Sequence, residues 1–294
     1  MKKTLLLLFA VLQSLILFGQ SPKDTSWYSK GFDFHLASGV YFGNKYNAAY
    51  YNGSAENENN IFYVLDKKVW YDEIFQLIQN NHRYVTDSVF LAELPQNMKY
   101  SPALSISLGF RYKFNKNWGL SFNYSFARLR ATDVFTLDYN GPLTNTQKDR
   151  PFIQYLVGTE RRSFFELSAS YLFHSHENLK PFIEMGVQFN FTDVRSFFAF
   201  FEETLELTLL DKCNGADPTL GLPIQEYNTR WGGTGYGLFT NIGVKIVFNK
   251  YISIDPLFYL SASSINLTGY KDIRLNYGAY IRIVMSDMVF MKKQ

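Results

Sequence analysis

Within the long segment 43–100, His82, Asp87 and Ser88 supply the residue types of an acyl-transfer site: a base, a carboxylate to orient it, and a hydroxyl nucleophile. Such groups react only when they meet within hydrogen-bond distance, and nothing in this spacing fixes that meeting. A histidine satisfied at the surface is the competing reading. His174-Ser175-His176-Glu177 offers two imidazoles and a carboxylate, suitable metal ligands, in a short turn with no fourth ligand nearby. Gly232, Gly233, Gly235 and Gly237 precede a strand rather than a helix, which argues against a phosphate-cradling loop and for backbone bending at a sheet rim. The expectation is therefore no catalytic residue, no metal site, no cofactor and no enzyme.

The elements that carry these residues are strands. Leu104, Ile106, Leu108, Phe110, Tyr112 and Phe114 alternate with Ser105, Ser107, Gly109, Arg111 and Lys113. Because successive strand side chains point to opposite faces, one face is apolar and the other wet. The same pattern recurs at Ile183, Met185, Val187, Phe189 and Phe191, and at Ile273, Leu275, Tyr277, Ala279, Ile281 and Ile283. Eight such stretches fall near 31–42, 101–114, 118–131, 163–173, 181–195, 236–248, 251–265 and 273–285. A soluble sandwich or lipocalin-like barrel would need a second sheet to cover so many large apolar residues. The pattern predicts an all-β chain: an eight-stranded antiparallel up-and-down transmembrane β-barrel with long extracellular loops.

Connection lengths support this. Asn115-Lys116-Asn117, the segment 174–180 and Asn249-Lys250 are short, and aromatic residues bracket each: Phe114 and Trp118, Phe173 and Phe182, Phe248 and Tyr251. The other gaps are longer. Short turns belong to the periplasmic side of an outer-membrane barrel and aromatic rings to the membrane–water interface. An even strand count then places both termini in the periplasm. Lys2 and Lys3 precede an uncharged run from Thr4 to Phe18, which reads as a secretory signal peptide over 1–19, leaving 20–294 as the barrel. Removing those two lysines lowers the formal charge of +3 to +1, so no strong field draws nucleic acid. The single Cys213 has no partner for an internal disulfide.

By alternation, Asp33, His35, Arg111, Lys113, Glu166, Glu184, Lys245, Asp255, Arg274 and Arg282 point inward. An eight-stranded barrel is just wide enough to be filled by side chains. Asp33, Arg111, Lys113, Glu184, Lys245, Asp255 and Arg282 all fall toward the periplasmic end and could form one paired charge layer, since isolated buried charges are costly. The competing reading is an ion pathway. Outside the wall, the first long loop contains a helical pattern over 71–80, whose apolar face of Ile74, Phe75, Leu77 and Ile78 could dock a partner or pack locally.

In strand and turn rhythm, in segments such as Ser107-Leu108-Gly109-Phe110-Arg111-Tyr112, and in a signal junction that would leave Gln20 first, the chain resembles the small outer-membrane β-barrel proteins of Bacteroidota, the OmpA/OmpX-like and PorT-like group. It departs from the pattern at the C-terminus, where Phe290 is followed by Met-Lys-Lys-Gln. Asp87-Ser88-Val89 also resembles the O-glycosylation motif of exported proteins of that group. The resemblance implies an outer-membrane location in contact with lipid and lipopolysaccharide. It also implies a binding or scaffold role for the extracellular loops within an envelope assembly, with an envelope protein as partner and, in some relatives, type IX secretion. A lipid A-modifying barrel enzyme and a small-solute channel are the alternatives.

Overall fold

The computed structural model describes residues 31–57, 59–82, 85, 87–140, 151–173, 178–210, 232–249 and 251–286. The expected signal peptide, the His174–Glu177 cluster, Cys213 and the chain's last residues lie outside them.

Among the described residues ten strands run β1 Gly31–Phe42, β2 Val89–Glu93, β3 Ala103–Lys113, β4 Trp118–Tyr139, β5 Phe152–Leu172, β6 Leu179–Phe201, β7 Leu205–Thr208, β8 Gly232–Val247, β9 Ile252–Ser263 and β10 Arg274–Ser286. Eight of them pair antiparallel in the cyclic order β1-β3-β4-β5-β6-β8-β9-β10, and β10 returns to β1 through a register running from Asp33↔Ser286 to Phe42↔Tyr277. The ring is closed, so no strand edge is left to meet lipid. β2 and β7 are short additions that pair with the outer ends of β4 and β6.

Two of the short turns are built alike. Asn115 Oδ1 accepts from the backbone N–H of Asn117 and Trp118 at 2.9 and 2.8 Å, and Asn249 Oδ1 accepts from those of Tyr251 and Ile252 at 2.8 and 2.9 Å. Asparagine stabilises a tight reversal by replacing a backbone acceptor in this way. The β3–β4, β5–β6 and β8–β9 connections, the start of β1 and the end of β10 all lie at this short-turn end.

Outward side chains form a continuous apolar belt, including Phe34, Leu108, Phe110, Leu120, Phe165, Met185, Phe189, Leu238, Ile242, Phe258, Leu275 and Ile281, all exposed. On β4 the belt runs from Trp118 to Phe126, roughly 27 Å along the strand at ~3.4 Å per residue, or about 21 Å along the barrel axis at a ~40° tilt. With the end rings adding a few Å, that approaches the apolar band of about 25 Å that such barrels present to lipid.

The wall is not of even height. β4, β5 and β6 have 22, 21 and 23 residues, whereas β1, β3, β9 and β10 have 11 to 13. The sequence pattern places the start of β5 at 163 and the ends of β4 and β6 at 131 and 195. The structure corrects the first two, and it carries β6 on through Phe197, Phe198, Phe200 and Phe201, an apolar run that also reads in the sequence as an extension of that strand above the membrane. The three tall strands rise past the belt as half a cup, and the first long loop folds into it.

That loop contains α1 (Lys45–Ala48), a 3-10 turn (Ala49–Tyr51), α2 (Phe62–Leu65) and α3 (Lys68–Asn81). Its Tyr51, Ile61, Ile74, Ile78 and Met98 are fully buried against Leu129, Phe135, Leu137, Leu156, Phe197 and Phe201 of the cup. α3 is tied to β2 through Tyr71, whose hydroxyl donates to the Val89 carbonyl at 3.0 Å and accepts from the Val89 N–H at 2.9 Å.

Candidate functional site

The lumen holds two polar layers. The one nearer the short-turn end is centred on Glu184, which β6 points inward and which is fully buried. Its Oε1 accepts from Arg111 of β3 and, at 2.7 Å, from Arg282 Nη1 of β10; its Oε2 accepts from Arg282 Nη2 at 2.9 Å and from Asn241 Nδ2 at 2.8 Å. Arg282 thus binds the carboxylate with both ends of its fork, the strong geometry for this pair. Arg111 Nε also donates to Ser121 Oγ at 3.1 Å, and its guanidinium lies 3.9 Å from Asp255. Both guanidiniums stand about 6 Å from the centre of the Phe182 ring. Nearer the mouth, Asp33 lies between Lys113 Nζ at 2.8 Å and Lys245 Nζ at 3.6 Å.

All seven residues of the expected charge layer therefore meet inside the barrel. Lys180 lines the same end and was not among those expected. Arg274 corrects the alternation. It is exposed above the rim, bonded to Asp272 at 2.8 Å and stacked over the Tyr46 ring at 4.2 Å. Glu166 and His35 are buried higher in the lumen, His35 Nε2 sitting 2.6 Å from Asn123 Oδ1. Three small cavities adjoin these groups, about 20 Å³ beside Glu166, about 50 Å³ at the short-turn mouth and about 30 Å³ beside Asp33, Lys113 and Lys245. These hold at most a few waters.

The second layer closes the belt's other end and joins wall to loop. Glu160 and Arg162 of β5 are both fully buried. Arg162 Nε donates to Glu160 Oε1 at 2.6 Å, while Tyr51 and Tyr100, from the beginning and end of the loop, donate their hydroxyls to Glu160 Oε2 at 2.8 and 2.9 Å. Arg162 Nη1 reaches the Tyr41 hydroxyl at 3.4 Å, and the guanidinium stands over the Tyr100 ring. Gly158 makes the approach feasible, because a Cβ there would lie 2.1 Å from the Tyr51 ring. Parity with Glu166 and Phe164 puts 162 and 160 on the inner face. With the strand begun at 163, the sequence reading missed both.

Among the described residues no side-chain hydrogen bond joins the candidate acyl-transfer groups to one another. His82 Nε2 lies 3.3 Å from Glu202 and its ring lies tilted against that of Phe152, Asp87 accepts from the Ser88 N–H at 2.7 Å, and Ser88 Oγ accepts from Asn140 Nδ2 at 3.1 Å. Gly233 and Gly235 let β8 pass the loop after β9: a Cβ at Gly235 would meet the Ser264 carbonyl oxygen at 1.7 Å, and one at Gly233 the Asn266 carbonyl oxygen at 2.3 Å.

The expected docking face of the helix is also corrected. Ile74 and Ile78 are buried in the chain's own core, Phe75 and Leu77 pack partly against it, and the side turned outward carries Lys68, Asp72, Glu73 and Gln76. An amphipathic stripe records that a face is covered, not by what.

Closed antiparallel pairing, an apolar exterior and a polar, ion-paired interior define an eight-stranded up-and-down transmembrane β-barrel. No family model and no curated protein matches the chain. Among solved structures it is similar to Neisserial surface protein A, at 9% identity and a TM-score of 0.41 over 86% of this chain and 95% of that one. It is similar also to Ail, the attachment invasion locus protein of Yersinia pestis, in complex with the heparin analogue sucrose octasulfate, at 10% identity and 0.33 over 87% and 98%. A third is the outer membrane protein OprG from Pseudomonas aeruginosa, at 11% identity and 0.33 over 88% and 96%. At these values the likeness carries no functional argument, and the fold assignment rests on the strand pairing itself.

Proposed function

We propose that this chain is a non-enzymatic outer-membrane barrel whose extracellular end is a rigid binding platform, a scaffold or docking component of an envelope assembly. In this reading the long loops face outside the cell, and the short turns and both chain ends face the periplasm. The observation that carries it is the half-cup of β4, β5 and β6. Past the belt these strands show Arg128, Arg130 and Arg161 to the outside, and beyond the arginines an exposed apolar group returns: Val134, Ile153 and Tyr155. Val134 stands opposite Tyr155 in the ladder, and Tyr155 opposite Phe200. Separated from the lipid belt by charge, this group faces water, and contiguous apolar surface in water marks a contact site.

The loop core and the latch at Glu160 stiffen the platform, which lowers the ordering cost of association. Against an enzyme stands the lack, among the described residues, of a side-chain hydrogen bond joining His82, Asp87 and Ser88; against a channel, the ion-paired lumen with its small cavities. A place in type IX secretion follows from resemblance only, and no described residue points to that machinery in particular.

The test is photo-cross-linking in intact outer membranes, comparing wild type with a variant carrying Ile153→Asp and Tyr155→Asp. The variant should keep the heat-shifted gel mobility of a folded barrel and lose the cross-linked partner. Retention of every cross-link by the folded variant would remove this face from consideration.

A further inference from the structure

We propose that the outer wall over β4, β5 and β6 binds a phosphorylated glycolipid of the outer leaflet through Arg128, Arg130, Arg161 and Arg195. The inference rests on the outer-membrane reading above and adds a ligand site to it.

Outward residues on these strands lie in register rows. Trp118, Tyr171 and Ile183 form the row at the short-turn edge of the belt, and Phe126, Ser163 and Phe191 the last row at the other edge. The next row outward is Arg128, Arg161 and Asp193; the one after it is Arg130, Thr159 and Ser196. Between Val194 and Ser196 the ladder shifts, leaving Arg195 as the extra residue of a β-bulge. Bulges of this kind re-aim a side chain, and the Arg195 guanidinium swings to Asp193 at 2.8 Å, where Arg161 also arrives at 3.6 Å. Arg161, Arg195 and Asp193 remain about half exposed, at 52%, 48% and 44% of their side-chain surface. Arg128 and Arg130 are exposed, and among the described residues Asp193 is the one carboxylate that pairs with this cluster.

Like charges directly opposite in an antiparallel ladder are destabilising, and Arg128 stands directly opposite Arg161. One carboxylate against four guanidiniums leaves this patch with a net positive charge, which favours an anion from outside the chain. Its position says which anion. The arginine rows begin one register step, roughly 7 Å, beyond the last belt residues, at the depth where lipid headgroups replace acyl chains. A guanidinium fork matches phosphate in two-point contact. The cluster spans three strands and two rows, on the order of 10 Å in each direction, wide enough to engage two phosphates on one sugar headgroup. The row at the opposite edge of the belt on the same strands, Trp118, Tyr171 and Ile183, carries no charge, and with the long loops outside the cell the arginine rows meet the outer leaflet.

The experiment uses the folded full chain in detergent and native mass spectrometry, with bis-phosphorylated lipid A, monophosphoryl lipid A and phosphatidylglycerol as probes. Wild type is compared with R128Q/R161Q/R195Q, with R161K, and with R274Q on the opposite side of the barrel. Wild type should retain bis-phosphorylated lipid A roughly tenfold more than either other lipid. The triple variant should lose that preference, R161K should fall between, and R274Q should match wild type. Equal retention by the triple variant, equal binding of phosphatidylglycerol, or an equal loss in R274Q would each overturn the site. Heat-shifted mobility is scored for every sample: if the triple variant does not fold, R161K against R274Q decides. A wild type lacking the shift would undo the membrane reading, whereas a folded wild type indifferent to phosphate number would undo only the site.

Discussion

Replacing Glu184 by alanine should be the most damaging single change in the lumen. The carboxylate accepts from Arg111, from both terminal nitrogens of Arg282 and from Asn241. Without it Arg111 keeps Ser121 and the distant Asp255, and the fork of Arg282 loses both its contacts to Glu184. Removing one partner of a buried ion pair costs about 3–5 kcal/mol, most of it from the charge left behind. Glu184→Gln keeps an acceptor oxygen but not the charge, and should cost about 1.5–3 kcal/mol. Replacing Glu184, Arg111 and Arg282 together by methionine should restore much of the loss, because the residual charge goes with the pair. The assay is urea unfolding in lipid vesicles followed by tryptophan fluorescence, for which Trp118 on the belt is a reporter. An alanine variant within about 1 kcal/mol of wild type would refute the reasoning, since it would mean that water already solvates the layer.

Three further outcomes follow from the latch between loop and wall. Gly158→Ala forces the Tyr51 ring away from Glu160 and should cost about 1–3 kcal/mol, seen as protease cleavage within the first loop while heat-shifted mobility persists; undiminished protection would contradict it. Burial and then the Glu160 charge hold the Tyr51 and Tyr100 phenols well above their ordinary value. Loop docking should therefore be constant at lower pH and weaken above about pH 10, where freed phenols ionise and docked ones do not; a protease assay showing loss below neutral pH would contradict this. Replacing 45–96 by a short Gly/Ser connector should leave the belt inserted but expose Phe135, Leu156, Phe197 and Phe201, so the outer ends of β4 to β6 should become protease-sensitive.

Within the lipid belt the sequence was legible because every strand there separates hydrocarbon from a polar lumen, giving the clean alternation of β3 and β10. At Ala127 the contrast inverts. Ala127, Leu129 and Ala131 face an apolar core inside, while Arg128 and Arg130 face water outside. On β5 the run Glu160-Arg161-Arg162 resembles a loop until its neighbours show that two of the three are buried. The outer ten or so residues of β5 were invisible for that reason, and with them the Glu160–Arg162 layer. The lower charge layer could be read because parity placed each member on the inner face. Arg274 obeys the same parity but lies above the rim, a height that alternation does not encode.

The most direct test of the barrel is spin-label accessibility along β3 in lipid vesicles, using single cysteines at 104 to 112 in a chain with Cys213→Ser. Labels at Leu104, Ile106, Leu108, Phe110 and Tyr112 should be open to oxygen dissolved in the bilayer, and labels at Ser105, Ser107, Gly109 and Arg111 should be shielded from it, with period two. Uniform accessibility along the segment, or exposure of the even-numbered positions to a water-soluble quencher, would contradict a membrane-spanning barrel with a packed interior.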